Sequence, residues 1–452
     1  MNPLALLQAK HRLTEARPRS EPEPVSLAGQ ILHVFLAVGI CSVLGFAPLA
    51  FGAVQPWSMC VLELGAACLV ILWAAREAVN SHFQIVSNRL FLPMALFAVV
   101  VLIQIAFHFT AYWYATWSKA LLWAAYAGIF FTVSQAFHKK PWITAFGFFC
   151  ATYGFLISLF GIVQQFTSNG KIYWVVNNRY GGWIYGPYVN HAHYAGLMEM
   201  LFPFPLIFAV ASREGRPIRA FFLFAAIVMS STIFLSQSLG GMITFAAQLS
   251  VLSLILFRNR RSSYREMAIV GLLCLALIVW LVWLRPVGLI ERIARLLNPI
   301  TDAGATGRFA IVKDSLRMLA QRPVFGWGLG TFPIAYPSFR SFFTNLWVNE
   351  AHNDFVQTLV ETGIVGFVCA IAFLVQFFRT AIHNSRHWRT EIESGMALAA
   401  FIGCFGLLVH GLVDFNLQIP ANAAFFFALA ALATTGFSGS SEARNGSVRM
   451  RG

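Results

Sequence analysis

Long apolar runs, broken only by short polar punctuation, recur along almost the whole chain. A bilayer-spanning helix needs roughly 20 predominantly apolar residues, because a rise of about 1.5 Å per residue must cover about 30 Å of hydrocarbon. Runs of that kind lie at 30–53, 57–75, 90–108, 119–137, 143–165, 192–212, 218–235, 240–257, 267–284, 353–378, 394–415 and 418–436. They predict an all-α polytopic membrane protein of about twelve spans. The weakest divisions fall at Ser236–Leu239 and at Asn416, where a few polar residues separate neighbouring runs; merging either pair inverts half of the topology. In this reading 1–29 is an N-terminal tail, 30–436 a single transmembrane domain and 437–452 a second tail. Two polar connections interrupt the domain, at 166–191 and 286–352.

Composition agrees. With 58% hydrophobic residues, 11% charged residues and a mean hydropathy of +0.67, a water-soluble domain is excluded. The net charge of +14 mostly reflects a bias of Lys and Arg towards one side of the membrane. If both termini are cytoplasmic, most Lys and Arg fall in short cytoplasmic loops, as the positive-inside rule requires. The basic residues left outside are Lys171, Arg179 and Arg285, together with Arg292, Arg295, Arg308, Lys313, Arg317, Arg322 and Arg340 in the second connection. Long translocated loops are largely exempt from that rule, so these cations need another reason, and an anionic, lipid-borne substrate supplies one. No basic amphipathic reader module is present, which disfavours nucleic acid as a partner. The seven cysteines, Cys41, Cys60, Cys68, Cys150, Cys274, Cys369 and Cys404, lie inside apolar runs at none of the spacings metal sites use, and read as packing residues. The first 29 residues lack the short apolar core of a cleavable signal. No internal repeat is visible, which argues against transporter folds built from duplicated halves.

Polar chemistry is concentrated in the two connections. The first, Thr167 to His193, holds Trp174, Trp183, Tyr185, Arg179, His191 and His193. Its aromatics read as interfacial anchors, with sugar stacking as the alternative; the two histidines read as polar groups lining a cavity. The second predicts amphipathic helices at 287–297 and at about 306–320, where Phe309, Val312, Leu316 and Leu319 recur at helical spacing and would face the membrane surface or the tops of the spans. Arg292, Arg295, Arg317 and Arg322 would solvate these helices or touch headgroups. The alternating Gly326, Gly328 and Gly330 permit a close backbone approach, either to a ligand or within a tight turn. His352 falls where the connection enters an apolar run, beside Asn353 and Asp354. Ionisable groups at membrane depth are costly and mark function, although a lone histidine also serves structural roles. Asp354 either caps the next helix or orients His352. Glu361 and Asp414, like Glu63 and Glu199, need partners in apolar surroundings; pairing with His410 or another helix and catalysis both stay open.

Together these pieces resemble the O-antigen ligase and polymerase superfamily of bacterial envelope glycosyltransferases. The resemblance is carried by Thr306-Gly307-Arg308, by Pro323 with Gly326 to Phe332, by His352-Asn353-Asp354 followed by Gln357, Glu361, Gly363 and Gly366, by Asn190 to Gly196 with Glu199, and by His410 to Asn416 with Pro420. These occur in the family's order over about residues 179–425. One departure is Leu239 before Gly240, where many relatives place an arginine, so no role is carried onto it. The resemblance implies a GT-C-like enzyme of the bacterial inner membrane. It would move a glycan from an undecaprenyl diphosphate carrier to an acceptor hydroxyl, on lipid A core or a carrier-linked glycan, at the periplasmic face, with inversion and without metal or cofactor. It gives His352 the catalytic role, to orient or deprotonate the acceptor hydroxyl. Arg308, Arg179 and Arg340 become diphosphate-binding groups, since guanidinium suits phosphate oxygens. Asn353, Asp354, Glu361, Gly326, Gly328, His191 and His193 become supporting residues. The 190–196 and 410–416 patterns lean towards polysaccharide polymerases. Rival readings are a lipid-linked glycan flippase or other transporter, which would put charge near the bilayer midplane, a docking platform for envelope enzymes, and a protein O-oligosaccharyltransferase.

Overall fold

The computed structural model describes residues 26–80, 83–178, 184–211, 215–258, 271, 303–344 and 347–436. The helices are α1 (Leu27–Leu49), α2 (Pro56–Val79), α3 (Phe91–Ala106), α4 (Trp113–Ala136), α5 (Lys140–Thr167), α6 (His191–Leu201), α7 (Pro203–Ala211), α8 (Arg216–Leu235), α9 (Leu239–Arg258), α10 (Ala303–Gln321), α11 (Phe332–Ala335), α12 (Asp354–Asn384), α13 (Ile392–His410) and α14 (Pro420–Thr434). Among the described residues the only β structure is two isolated bridges, Ile172 with Val176 and Tyr185 with Tyr188. Helix starts follow local chemistry. Proline stands at the first or second position of α2, α5, α8 and α14, where its missing N–H is no loss. Ser26 caps α1 by accepting from Gly29 N–H at 3.0 Å, and Asn190 caps α6 through Ala192 N–H at 2.9 Å.

Among the described residues, seven helical segments are long and apolar enough to cross a membrane: Leu27–Leu49, Pro56–Val79, Lys140–Thr167, His191–Val210, Pro217–Leu235, Asp354–His387 and Ile392–His410. The protein is therefore a polytopic helical membrane protein. The expected twelve spans resolve differently. Those at 90–108, 240–257 and 418–436 are shorter apolar helices, that at 119–137 corresponds to the C-terminal part of α4, and that at 267–284 lies, apart from Gly271, outside the described residues, as does the expected helix at 287–297. The run at 192–212 is broken between α6 and α7 at Phe202 and Pro203. The two doubtful divisions hold: Gln237 takes a positive φ of 60° between α8 and α9, and residues 411–419 separate α13 from α14.

Burial sorts the helices, which composition could not do. All fifteen residues of α14 are buried, and it packs against α13, α4, α12, α6 and α1. Helices α6 and α13 are buried along nearly their whole length and form the inner layer with α14. Around them, α1, α2, α3 and α5 present large apolar side chains outward, including Phe35, Leu64, Leu102 and Leu156, a surface that fits lipid and not water. Two connections close the same end of the bundle: Ala111 N–H bonds Trp327 O in the glycine-rich segment, and Asp354 N–H bonds Gly411 O.

Helix α10 buries a stripe other than the apolar face read from the sequence. Ile311, Asp314, Ser315 and Met318 are buried, while Phe309 and Leu316 are exposed. The buried stripe escaped detection because it is half polar: Asp314 accepts from Ser341 N–H at 2.9 Å and Ser341 Oγ at 3.0 Å, fastening the loop beyond α11. Arg317 also bonds Asp314, at 3.0 Å.

Candidate functional site

The site is assembled on the turn that follows α13. Val413 N–H and Asp414 N–H both bond His410 O at 3.0 Å, so the chain coils once more before leaving the helix. That leaves three carbonyls in a row without a helical partner. Gly411 O accepts from Asp354 N–H at 2.8 Å, Leu412 O from Asn353 Nδ2 at 2.8 Å and Val413 O from Arg308 Nη1 at 3.0 Å. One turn thus fixes the first residues of α12 and the early part of α10 relative to each other.

Asn353 performs two tasks that need an amide. Its Oδ1 caps α12, accepting from Phe355 N–H at 3.0 Å and Val356 N–H at 2.9 Å, while its Nδ2 donates to Leu412 O. Asp354 is therefore neither the cap nor the partner of His352. It is buried, accepting from Leu417 N–H at 3.0 Å and from Gln418 Nε2 at 3.4 Å, and it ties α12 to the segment before α14.

His352 sits at a left-handed φ of 51°, a costly conformation that surrounding contacts must maintain. Its side chain is 30% exposed, and its Nδ1 is 3.6 Å from Asp414 Oδ1, in ion-pair range though longer than a hydrogen bond. The Phe415 ring separates two imidazoles, meeting His352 edge-on at 4.8 Å and His193 at 4.7 Å. Asp414 is buried, which pushes its carboxyl up, but His352, His193, His410 and Arg308 outweigh burial and hold it well below the usual carboxylate range. Beneath it, His410 Nδ1 lies 3.0 and 3.1 Å from the Glu199 carboxylate oxygens.

Gly326 and Gly328 serve the protein's own backbone. Their φ values are +71° and +105°, and Trp327 N–H and Gly328 N–H bond Val360 O at 3.0 Å and Glu361 O at 2.9 Å. A Cβ on Gly326 would stand 2.5 Å from Val360 O. The segment docks where α12 kinks at Gly363 (φ 65°, ψ −172°), which frees those carbonyls. Glu361 completes the dock, accepting from Gly330 N–H at 2.8 Å and Phe332 N–H at 3.2 Å. Next to it, Gln357 Nε2 donates to Glu350. Burial pushes the Glu350 carboxyl up to about 7, with Glu361 adding to the rise and Lys119 opposing it.

The structure thus brings His352, Arg308, Asn353 and Asp354 together with Asp414, with His193 one ring away. His191 opens α6 within electrostatic reach of His193. Arg340 is exposed, and its charge acts on Tyr336 in the Asp314 network. Arg179, Arg285, Arg292, Arg295 and Trp183 lie outside the described residues. Arg322 covers the Trp327 ring at 4.4 Å. Tyr185 departs from the interfacial expectation: it is buried and packs 4.7 Å from Tyr194. No group of three or more His, Cys, Asp or Glu among the described residues could hold a metal ion. Phe415 carries no mark of its own in the sequence, and Asp414, Glu199 and His410 are marked there only as groups in need of a partner. The signal of these three was an ionisable side chain inside an apolar run, which does not name the partner.

A family model described as O-antigen ligase matches residues 224–371. The matched stretch includes Arg308, the glycine-rich segment, His352 and Glu361, and ends before Asp414. No curated protein matches the chain.

Proposed function

We propose, from the place this match gives the chain in the O-antigen ligase and polymerase superfamily, that the protein is a membrane glycosyltransferase that moves a glycan from an undecaprenyl diphosphate carrier to an acceptor hydroxyl. The observation that carries the reading is the convergence of Arg308 and His352 on one turn, with a buried, ionised Asp414 behind the imidazole. In the step, the acceptor oxygen attacks the anomeric carbon and its proton passes to His352 Nε2. The bond from that carbon to the diphosphate oxygen breaks, and the diphosphate leaves as an anion that needs no proton. Arg308, anchored by one nitrogen on Val413 O, offers its remaining N–H groups to the phosphate oxygens. Arg179 and Arg340 would extend this cationic surface from the two connections. Attack opposite the leaving group inverts the anomeric centre. Asp414 balances the charge that develops on the His352 ring.

The orientation proposed is inner membrane, both termini cytoplasmic and the site periplasmic. It is supported by Arg76, Arg89, Lys139, Arg379, Arg386 and Arg389, which lie on the helix ends and connections away from the site. Lipid A core and a second carrier-linked unit are both acceptors of the required chemistry. Purified protein given lipid-linked repeat units and EDTA, with and without a lipid A core acceptor, separates them on a gel. A single shifted band that needs the core marks a ligase, and a ladder without it marks a polymerase. His352→Ala and Arg308→Ala should each abolish transfer while the protein stays folded; normal products from either variant refute the site assignment.

A further inference from the structure

Behind Asp414 stand an acid and an imidazole that no step above uses. Glu199, within α6, and His410, the last residue of α13, are both fully buried. His410 Nδ1 is at hydrogen-bond distance from both Glu199 oxygens, the contact a ring N–H makes when it donates to a carboxylate. The other ring nitrogen, Nε2, is 4.0 Å from Asp414 Oδ2 and has no hydrogen-bond partner. Asp414 in turn presents Oδ1 to His352 Nδ1. The four side chains form a row of carboxylate, imidazole, carboxylate and imidazole that climbs from the bundle interior to the half-exposed His352.

Glycines shape the row. A Cβ at Gly240 would stand 2.5 Å from His410 Nε2, and one at Gly241 would stand 3.1 Å from Glu199 Oε1. The start of α9 is therefore cut back where the pair lies. A buried carboxylate is costly unless a charge or hydrogen bonds compensate it. Here two carboxylates flank one ring, so a proton on Nε2 lets both remain ionised. The charged groups that bear on the row are Glu199, Asp414 and Asp354 around His410, and His352, His193, His410 and Arg308 around Asp414.

We infer that Glu199 and His410 are positioning residues for the transfer reaction, holding the Asp414 carboxylate ionised and aimed at His352. The inference rests on His352 being the base. One proton moves in the step, from the acceptor oxygen to His352 Nε2; none travels along the row, and the Glu199–His410 pair keeps its charge throughout.

Glu199→Gln keeps an oxygen for His410 Nδ1–H and removes the charge. In purified protein assayed across the neutral pH range, kcat should fall about tenfold, the worth of one pKa unit of interaction, with the donor KM unchanged. The acidic limb of the kcat profile should move to lower pH, because Asp414, no longer held ionised by a neighbouring cation, stabilises the charged His352 ring less. A pair with only a structural role would lower the melting temperature and the folded yield while leaving kcat per active enzyme and its pH profile as in the wild type, and that result overturns the inference. Nitrogen-15 NMR of histidine-labelled wild-type protein tests it without a variant, should E199Q not fold: His410 is expected with both ring nitrogens protonated at neutral pH, and a neutral ring overturns it. His352→Ala assayed alongside distinguishes the failures. An active H352A refutes the base itself, whereas an inactive H352A with a wild-type E199Q profile refutes only the role of the pair.

Discussion

Asp414→Asn is the sharpest perturbation the site offers, because it removes one charge and little else. Asparagine has nearly the same shape and keeps an oxygen for Phe415 N–H, now bonded to Asp414 Oδ1 at 2.9 Å, so the turn should persist. What disappears is the attraction between the carboxylate and a protonated His352 across 3.6 Å. Two unit charges at that distance interact by about 5 kcal/mol at an effective dielectric near 20. With His352 30% exposed, solvent screening leaves roughly 2 kcal/mol, or about a thirtyfold fall in rate. In the proposed reaction the charge on His352 develops only as the acceptor proton is taken, so the loss should appear in kcat and not in KM. Initial rates over a range of donor concentrations measure both. A variant with wild-type kcat and an undisturbed pH profile would refute the charge-balancing argument. The wild type carries a companion signature. Asp414 is held below its ordinary carboxyl value, so its contribution to stability is complete above about pH 4 and is lost only as pH falls further towards the folded-state value. The protein should therefore melt no earlier at pH 5 than at pH 7 on this group's account.

Other expectations concern the frame around the site. Glu361→Gln turns an amide towards one of two buried N–H donors, Gly330 or Phe332; it should cost about 1–3 kcal/mol and speed hydrogen exchange across residues 326–332. Gly326→Ala combines a positive φ with the Val360 O clash and should lower stability by on the order of 2–3 kcal/mol, seen as a reduced melting temperature in detergent. Asn353→Asp keeps the cap but sets an oxygen against Leu412 O, so kcat should drop with little change in the helix content of α12. Glu350 has a folded-state value raised to about 7, so it favours the fold fully below the ordinary carboxyl value of about 4.3 and loses that contribution as pH rises through about 7. Exchange around residues 350–357, corrected for intrinsic rates, should therefore be faster at pH 8 than at pH 5, and Glu350→Gln should remove the difference.

His352 and Asn353 were legible in the chain because each carries an intrinsic mark, an ionisable or polar side chain where the chain enters an apolar run, whereas Arg308 stands exposed in the polar connection and was legible only through the family resemblance. Gly326 and Gly328 were legible as glycines and not as to purpose. Close approach to a ligand and close approach to a kinked helix impose the same requirement on φ and Cβ, and only the position of Gly363 and the carbonyls of Val360 and Glu361 decides between them. Asp354 was weighed as a cap or as the partner of His352 and is neither. The cap fell one residue earlier to an amide that could also donate, and the partner came from a residue 62 positions away in the chain, Asp414.

By itself the sequence determined the class of molecule. Apolar runs of spanning length, prolines at helix starts and a charge bias between loops are local properties, and bilayer physics admits few structures for them other than packed helices. Which helices are central was beyond it, since α14 and α1 both lack Asp, Glu, Lys and Arg and are similarly apolar, yet α14 is buried throughout and α1 is not. So was the pairing of His352 with Asp414, of His410 with Glu199, and of Arg308 with the carbonyl of Val413. In a helical bundle, partners are set by how distant helices register against one another, and electrostatic and hydrogen-bond energies depend on that register at the scale of an ångström. Only the tertiary structure decides it.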